Sequence, residues 1–187
     1  MHVYIVHGFD ASPAHHWFPW LKQALQAQGH SASVVELPSP HEPDPTAWVQ
    51  ALQAQAAVLD RHTWFVAHSL GCIAVLRHLE QAPADAAIGG YVLVSGFNAP
   101  LAVLPQLDAF AKPDLDTPKL AAMAAYRSVI ASSNDAGVPP ALSQALAKDL
   151  DAKLVMVERG GHFLASEGFT EFPLVLDELE RASQSAR

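Results

Sequence analysis

Short apolar, β-branched runs alternate along this chain with longer amphipathic stretches. The runs fall at 2–6, 31–37, 63–67, 91–95, 126–132 and 153–157, and each is rich in Val, Ile, Phe or Tyr. They are too brief to bury a helical face and read as strands. The stretches between them carry helix starts and stops. Ser12-Pro13 reads as N-cap and first helical position of a helix with Trp17, Trp20, Leu21, Ala24 and Leu25 on one face, closing near Gly29. Asp44-Pro45 opens a second helix with Trp48, Leu52, Ala56 and Leu59. An apolar helix follows Gly71. Pro139-Pro140 opens one that runs to about Leu150, and a last one runs from about Thr170 to Ala182 with Phe172, Val175, Leu176 and Leu179 inward. Such alternation predicts right-handed βαβ crossovers: a mostly parallel sheet of about six strands between two helical layers. Residues 96–118 break the pattern, with four prolines and scattered apolar residues. They are expected to form either a pocket wall or minimal lid, or a short packed helix between strands.

Composition narrows the class. A chain of 187 residues, half of them hydrophobic and 16% charged, is expected to fold as a single domain over 1–187. The net charge of −8 comes without a basic patch, which argues against a nucleic-acid partner. The one cysteine, Cys72, permits no intramolecular disulfide and reads as an apolar space-filler. No apolar run spans a bilayer, and Met1 leads into a strand without a basic, cleavable leader. The expectation is a cytoplasmic protein with no membrane partner.

The chemistry centres on T-W-F-V-A-H-S-L-G-C-I-A-V-L, from Thr63. Strand passes to helix across His68, Ser69, Leu70 and Gly71, with no room for a loop. The chain must turn sharply there and project its apex residue, as in the nucleophile elbow G-x-S-x-G. Here the motif reads A-H-S-L-G, with Ala67 adding a methyl group where the first glycine usually stands. The plain alternative is a surface turn with an ordinary serine. A serine hydroxyl needs a base, and the base an orienting carboxylate. In open parallel sheets the site lies beyond the carboxyl ends of the strands. That filter retains His7-Gly8-Phe9, Ser69, Asp135 and His162. The chain order Ser69, Asp135, His162 is that of a Ser-Asp-His triad on such a fold. Taken singly, His162 is a loop histidine and Asp135 a turn aspartate; order and position favour base and orienter. Asp108, Asp114 and Asp116 are weaker candidates, and Glu158 is too near His162 in sequence to reach round to its ring. His68 is expected to point away from Ser69, His7 to support its loop, and His15 and His16 to serve at the surface or in packing. The oxyanion donors are expected to be the backbone N–H groups of Leu70 and Phe9. No H-E-x-x-H or comparable ligand spacing is present, so neither metal nor other cofactor is expected.

With these residues placed, the chain resembles small serine hydrolases of the α/β-hydrolase superfamily, and more narrowly the group named after retinoblastoma-binding protein nine. The motifs that carry the resemblance are H-G-F at 7–9, the Trp17/Trp20 pair, H-S-L-G at 68–71, S-S-N-D at 132–135 and G-G-H-F at 160–163. It implies an α/β-hydrolase fold without a large cap, and a triad mapping onto Ser69, Asp135 and His162. The expected activity is cleavage of small carboxylic esters or amides through an acyl-enzyme. Two departures, Ala67 and the Ala136-Gly137 pair after Asp135, leave a catalytically silent binding module as the alternative. The group's name refers to a pocket-protein partner bound through L-x-C-x-E. Cys72 has Leu70 before it but Ala74 after it, so that partner is not expected.

Overall fold

The computed structural model describes residues 1–185. Six strands form one sheet: β1 (His2–Val6), β2 (Ser31–Val34), β3 (Thr63–His68), β4 (Ile88–Val94), β5 (Ala124–Ser132) and β6 (Lys153–Val157). Their order is β2-β1-β3-β4-β5-β6, and every neighbouring pair is parallel. The helices are α1 (Phe18–Ala27), α2 (Pro45–Gln55), α3 (Leu70–Glu80), α4 (Thr117–Met123), α5 (Pro140–Asp149) and α6 (Pro173–Ser185). The chain steps one way from β1 to β2, then crosses back through β3 towards β6. With crossovers of one hand, that reversal sends α1 to one face and the later crossover helices to the other.

Strand periodicity divides the core accordingly. Val3, Ile5, Trp64, Val66, Val92, Val94 and Ile130 face α1 and α6. Tyr4, Val6, Phe65, Ala67, Tyr91, Leu93 and Val129 face the layer built from α2, α3 and α5. Strands buried on both faces need continuous apolar runs, and β3 and β4 are buried throughout. This is the three-layer α/β-hydrolase arrangement.

Several boundaries differ from expectation: β2 stops at Val34 rather than Leu37, α2 at Gln55 short of Leu59, β5 starts at Ala124 rather than Tyr126, and α6 starts at Pro173 rather than near Thr170. Helix α1 begins at Phe18, not Ser12, because Pro19 has no N–H and its ring would clash deeper in a helix. Ser12 instead closes an isolated turn, its carbonyl accepting from His15 N–H at 3.0 Å. Strand β4 starts earlier, at Ile88, and includes Gly89 and Gly90. A Cβ on these would lie 2.1 Å and 2.8 Å from the Trp64 ring, so the missing side chains make room for the indole. Residues 96–118 hold a 3₁₀ segment at Pro105–Ala111 and the start of α4.

At the sheet's far edge, α6 is tied down by Glu178, whose side chain is fully buried. It accepts from Lys153 at 2.7 Å, Tyr126 at 2.6 Å, Ser128 at 3.1 Å and Arg181 at 3.1 Å. Burial pushes this carboxyl up, but the donors outweigh it and hold it below the usual range.

Candidate active site

Ser69 sits at the turn from β3 into α3 with φ 53° and ψ −124°, a conformation rare for a residue with a Cβ. Its N–H donates to Val94 O at 2.9 Å, which ties the turn to β4. The strain is imposed by packing. A Cβ on Gly71 would lie 2.3 Å from His7 O and 2.9 Å from Val6 O, so α3 runs at backbone distance from the end of β1. A Cβ on Gly8 would lie 3.0 Å from both His68 O and the Ser69 Cβ. Ala67 is fully buried in the core, its methyl accommodated there.

Ser69, Asp135 and His162 meet. His162 Nε2 lies 2.9 Å from Ser69 Oγ, and His162 Nδ1 lies 2.8 Å and 3.0 Å from the two Asp135 oxygens. Asp135 follows β5 and is both a turn aspartate and the imidazole's partner. Its Oδ1 accepts from Gly137 N–H and Val138 N–H, each at 2.9 Å. Burial pushes the Asp135 carboxyl up, but hydrogen bonds from His162, Val138 and Ser95 prevail and hold it below the usual carboxylate range. The group is therefore ionised at neutral pH and fixes a proton on His162 Nδ1, leaving Nε2 as an acceptor for the serine proton.

Four supporting residues were missed in the sequence. Ser95, at φ 48° just past β4, donates to Asp135 Oδ2 at 2.7 Å. The rule of strand carboxyl ends, applied to every strand, would have found it. Glu167 accepts from His162 N–H at 2.8 Å and Leu164 N–H at 3.0 Å. Asn134 accepts from Gly161 N–H at 2.9 Å. His68 points away from Ser69, as expected, yet its Nε2 lies 2.8 Å from His162 O. Burial pushes His68 well below the ordinary imidazole range, so it is neutral and donates from Nε2. The backbone of His162 is thus pinned at its N–H by Glu167 and at its C=O by His68.

The other placements are mixed. His7 Nδ1 bonds Gly8 O at 2.9 Å and supports its loop. Asp116 caps α4 by accepting from Lys119 N–H. His16, expected at the surface or in packing, does pack edge-on against Phe18 and His68, and it also lines the cleft over Ser69, carried there by the turn that replaces the expected first turns of α1. That cleft has a volume of about 310 Å³. Its apolar wall is Phe9, Leu101, Leu104, Leu107, Val138 and Leu164, so the irregular segment supplies a pocket wall. Leu70 is fully buried as the first residue of α3, where its N–H has no intrahelical acceptor. Among the described residues, no group of three or more His, Cys, Asp or Glu side chains is placed to hold a metal ion. No helix there is long and apolar enough to cross a membrane.

A parallel sheet with a serine raised on a strand-to-helix elbow defines an α/β-hydrolase of the serine class. The chain belongs to the serine hydrolase family, whose model matches residues 3–181. It is similar to YdeN of Bacillus subtilis (strain 168), which carries a hydrolase name, with 45% identity over 177 residues, 95% of this chain and 93% of that protein. The crystal structure of the ydeN gene product matches it with a TM-score of 0.96 over 98% of each chain. Serine hydrolase RBBP9 of Rattus norvegicus is 27% identical over 156 residues, 82% of this chain and 81% of that protein.

Proposed function

We propose that this hydrolase cleaves small carboxylic esters through an acyl-enzyme on Ser69. The observation that carries the reading is the unbroken chain from Asp135 through His162 to Ser69 Oγ, with contacts of 2.8 Å and 2.9 Å. Ser69 Oγ attacks the ester carbonyl carbon while its proton passes to His162 Nε2. Phe9 N–H and Leu70 N–H receive the negative charge on the carbonyl oxygen. Each such donor is worth about a hundred- to a thousandfold in rate. The tetrahedral adduct collapses, the C–O bond to the alcohol breaks, and His162 returns the proton to the leaving oxygen. Water then attacks the acyl-enzyme by the same route and frees the acid. The cleft suits a short, uncharged acyl chain, because its wall is mostly leucine and its volume is small.

A fluorophosphonate probe tests the reading. Intact-mass analysis should find one adduct on the protein and none on Ser69→Ala, and Ser69→Ala and His162→Ala should each lose about 10⁴-fold or more in ester turnover. A wild-type protein that neither takes up the probe nor hydrolyses short esters would instead be a silent binding module.

A further inference from the structure

Apart from the reacting pair and Asp10, one side chain in the cleft wall carries polar atoms: His16. It lies in the β1–α1 loop at φ 53°, a left-handed conformation that few residues other than glycine adopt. Its Nδ1 accepts the backbone N–H of Ala165 at 3.0 Å. A nitrogen that accepts cannot also carry the proton, so the ring is neutral and its one hydrogen is on Nε2. Burial, with His15 and His162 nearby, pushes the imidazole below its ordinary range and favours that same neutral form. Among the described residues nothing accepts from Nε2–H. The ring is braced edge-on by Phe18 at 5.5 Å and His68 at 5.9 Å between centroids. His16 thus lines the cleft as a fixed side chain whose Nε2–H is used by no group among the described residues, within an otherwise mostly apolar wall, the kind of group by which small-molecule sites set orientation.

The side of the cleft is also determined. His16 is bonded to the loop that bears His162, and the His68 ring contacts both imidazoles, edge-on to His16 at 5.9 Å and tilted to His162 at 4.8 Å. In triad chemistry the imidazole hands its proton to the departing alcohol, so the alcohol half of an ester lies on the imidazole side. Asp10 stands at the rim of the cleft with its carboxylate against the His41 imidazole.

We propose that His16 is a specificity-determining residue that donates a hydrogen bond from Nε2 to an uncharged oxygen in the alcohol half of the substrate. The preferred class is then glycol-, glycerol- or alkoxyalkyl-type esters rather than simple alkyl esters. The inference rests on the Ser69 reading above.

The test uses two nearly isosteric esters, 2-methoxyethyl butyrate and butyl butyrate, and two variants that divide the imidazole's roles. His16→Asn keeps an acceptor near the Nδ1 position and loses the Nε2 donor. His16→Gln keeps a donor near Nε2 and loses the link to Ala165. Relative to wild type, His16→Asn should lose roughly three- to tenfold of the kcat/KM preference for the methoxyethyl ester. His16→Gln should retain that preference while turning over both esters more slowly. Equal losses on both esters in His16→Asn would reduce His16 to a loop clamp and overturn the proposal. A second measurement needs no variant at position 16. In Ser69→Ala, long-range ¹H–¹⁵N spectra should show His16 protonated on Nε2, with a shift on adding the methoxyethyl but not the butyl ester. A ring protonated on Nδ1, or the same response to both esters, would also overturn it. Fluorophosphonate labelling of wild-type Ser69 separates the failures: an adduct without ester preference defeats only the role of His16, whereas no adduct and no turnover defeats the hydrolytic reading with it.

Discussion

The chain of hydrogen bonds from Asp135 through His162 to Ser69 is held by groups outside it. Asp135 is the focus, with two backbone donors on one oxygen and Ser95 Oγ on the other. Each donor favours the ionised carboxyl and limits the angles from which His162 Nδ1 can approach it. Ser95→Ala removes one charge-assisted bond, a kind worth about 1.5–3 kcal/mol. The sign follows from what is lost: without that donor the Asp135 carboxyl rises towards its ordinary range. Ester kcat/KM should fall about tenfold, and to a similar degree at pH 6, 7 and 8, because an aspartate in its ordinary range of about 4 is still ionised at all three. Kinetics of both proteins at those values check this. An unchanged kcat/KM would mean that the Ser95 hydroxyl does not help hold the carboxylate.

The unit that matters at the level of elements is β3–turn–α3 seated on the end of β1. The left-handed φ of Ser69 costs on the order of 1–3 kcal/mol and persists because its surroundings leave no alternative. Gly71 permits the close approach: a methyl group there would meet His7 O and Val6 O, backbone atoms that cannot swing aside. Gly71→Ala should therefore shift α3 away from β1, cost about 1–3 kcal/mol or more of stability, and lower ester turnover disproportionately, since Leu70 N–H moves with the helix. Thermal unfolding and kinetics on one preparation measure both effects, and a variant with wild-type Tm and activity would contradict the packing argument. The same proximity explains why the β1–α1 loop cannot begin a helix at Ser12. The chain must first pass over the elbow, carrying Phe9 and His16 past Ser69, before α1 starts at Phe18-Pro19.

The whole molecule places the cleft at the point where the sheet reverses its winding, between the carboxyl ends of β1 and β3. Loops from those two strands, from β4, from β5 and from β6 converge there, so five segments distant in sequence share one small volume. The fold also buries three histidines, His7, His68 and His78, each pushed below the ordinary imidazole range by burial. Because these groups bind a proton less readily folded than unfolded, unfolding takes up protons once pH falls below the free imidazole range. Stability contributed by their neutral forms is present above about pH 6.5 and is lost as pH falls beneath it. Tm should be flat from pH 7 upward and decline between pH 7 and 5. His68→Gln, which can still donate to His162 O, should decline less steeply. A Tm independent of pH across that range would show that these imidazoles do not couple to folding.

What could be read from the chain alone is what local chemistry dictates. Strands β1 and β6 fall within the expected limits, because short β-branched runs have no competing period. Helices α2 and α5 start at Asp44-Pro45 and Pro139-Pro140, because proline removes a donor and sets φ. Strand-to-helix spacing at A-H-S-L-G required a sharp turn, and chain order selected Asp135 and His162 from many acids and histidines. Asn134 and His68 escaped because their partners lie 27 and 94 residues away, and Glu167 because its partner, five residues back, is met only through the turn at 165–167; Ser95 follows β4 and was within reach of the strand-end rule. The early start of β4 escaped because Gly89 and Gly90 count against a strand until the Trp64 ring that fills their place is known. The place of His16 in the cleft was not legible because the helix-start signal at Ser12-Pro13 is local, whereas the crowding of the β1 loop against the elbow decides the path. Local propensity specified the elements and their order. Contacts between distant segments decided which side chains face one another, because those distances exist only once the sheet has formed.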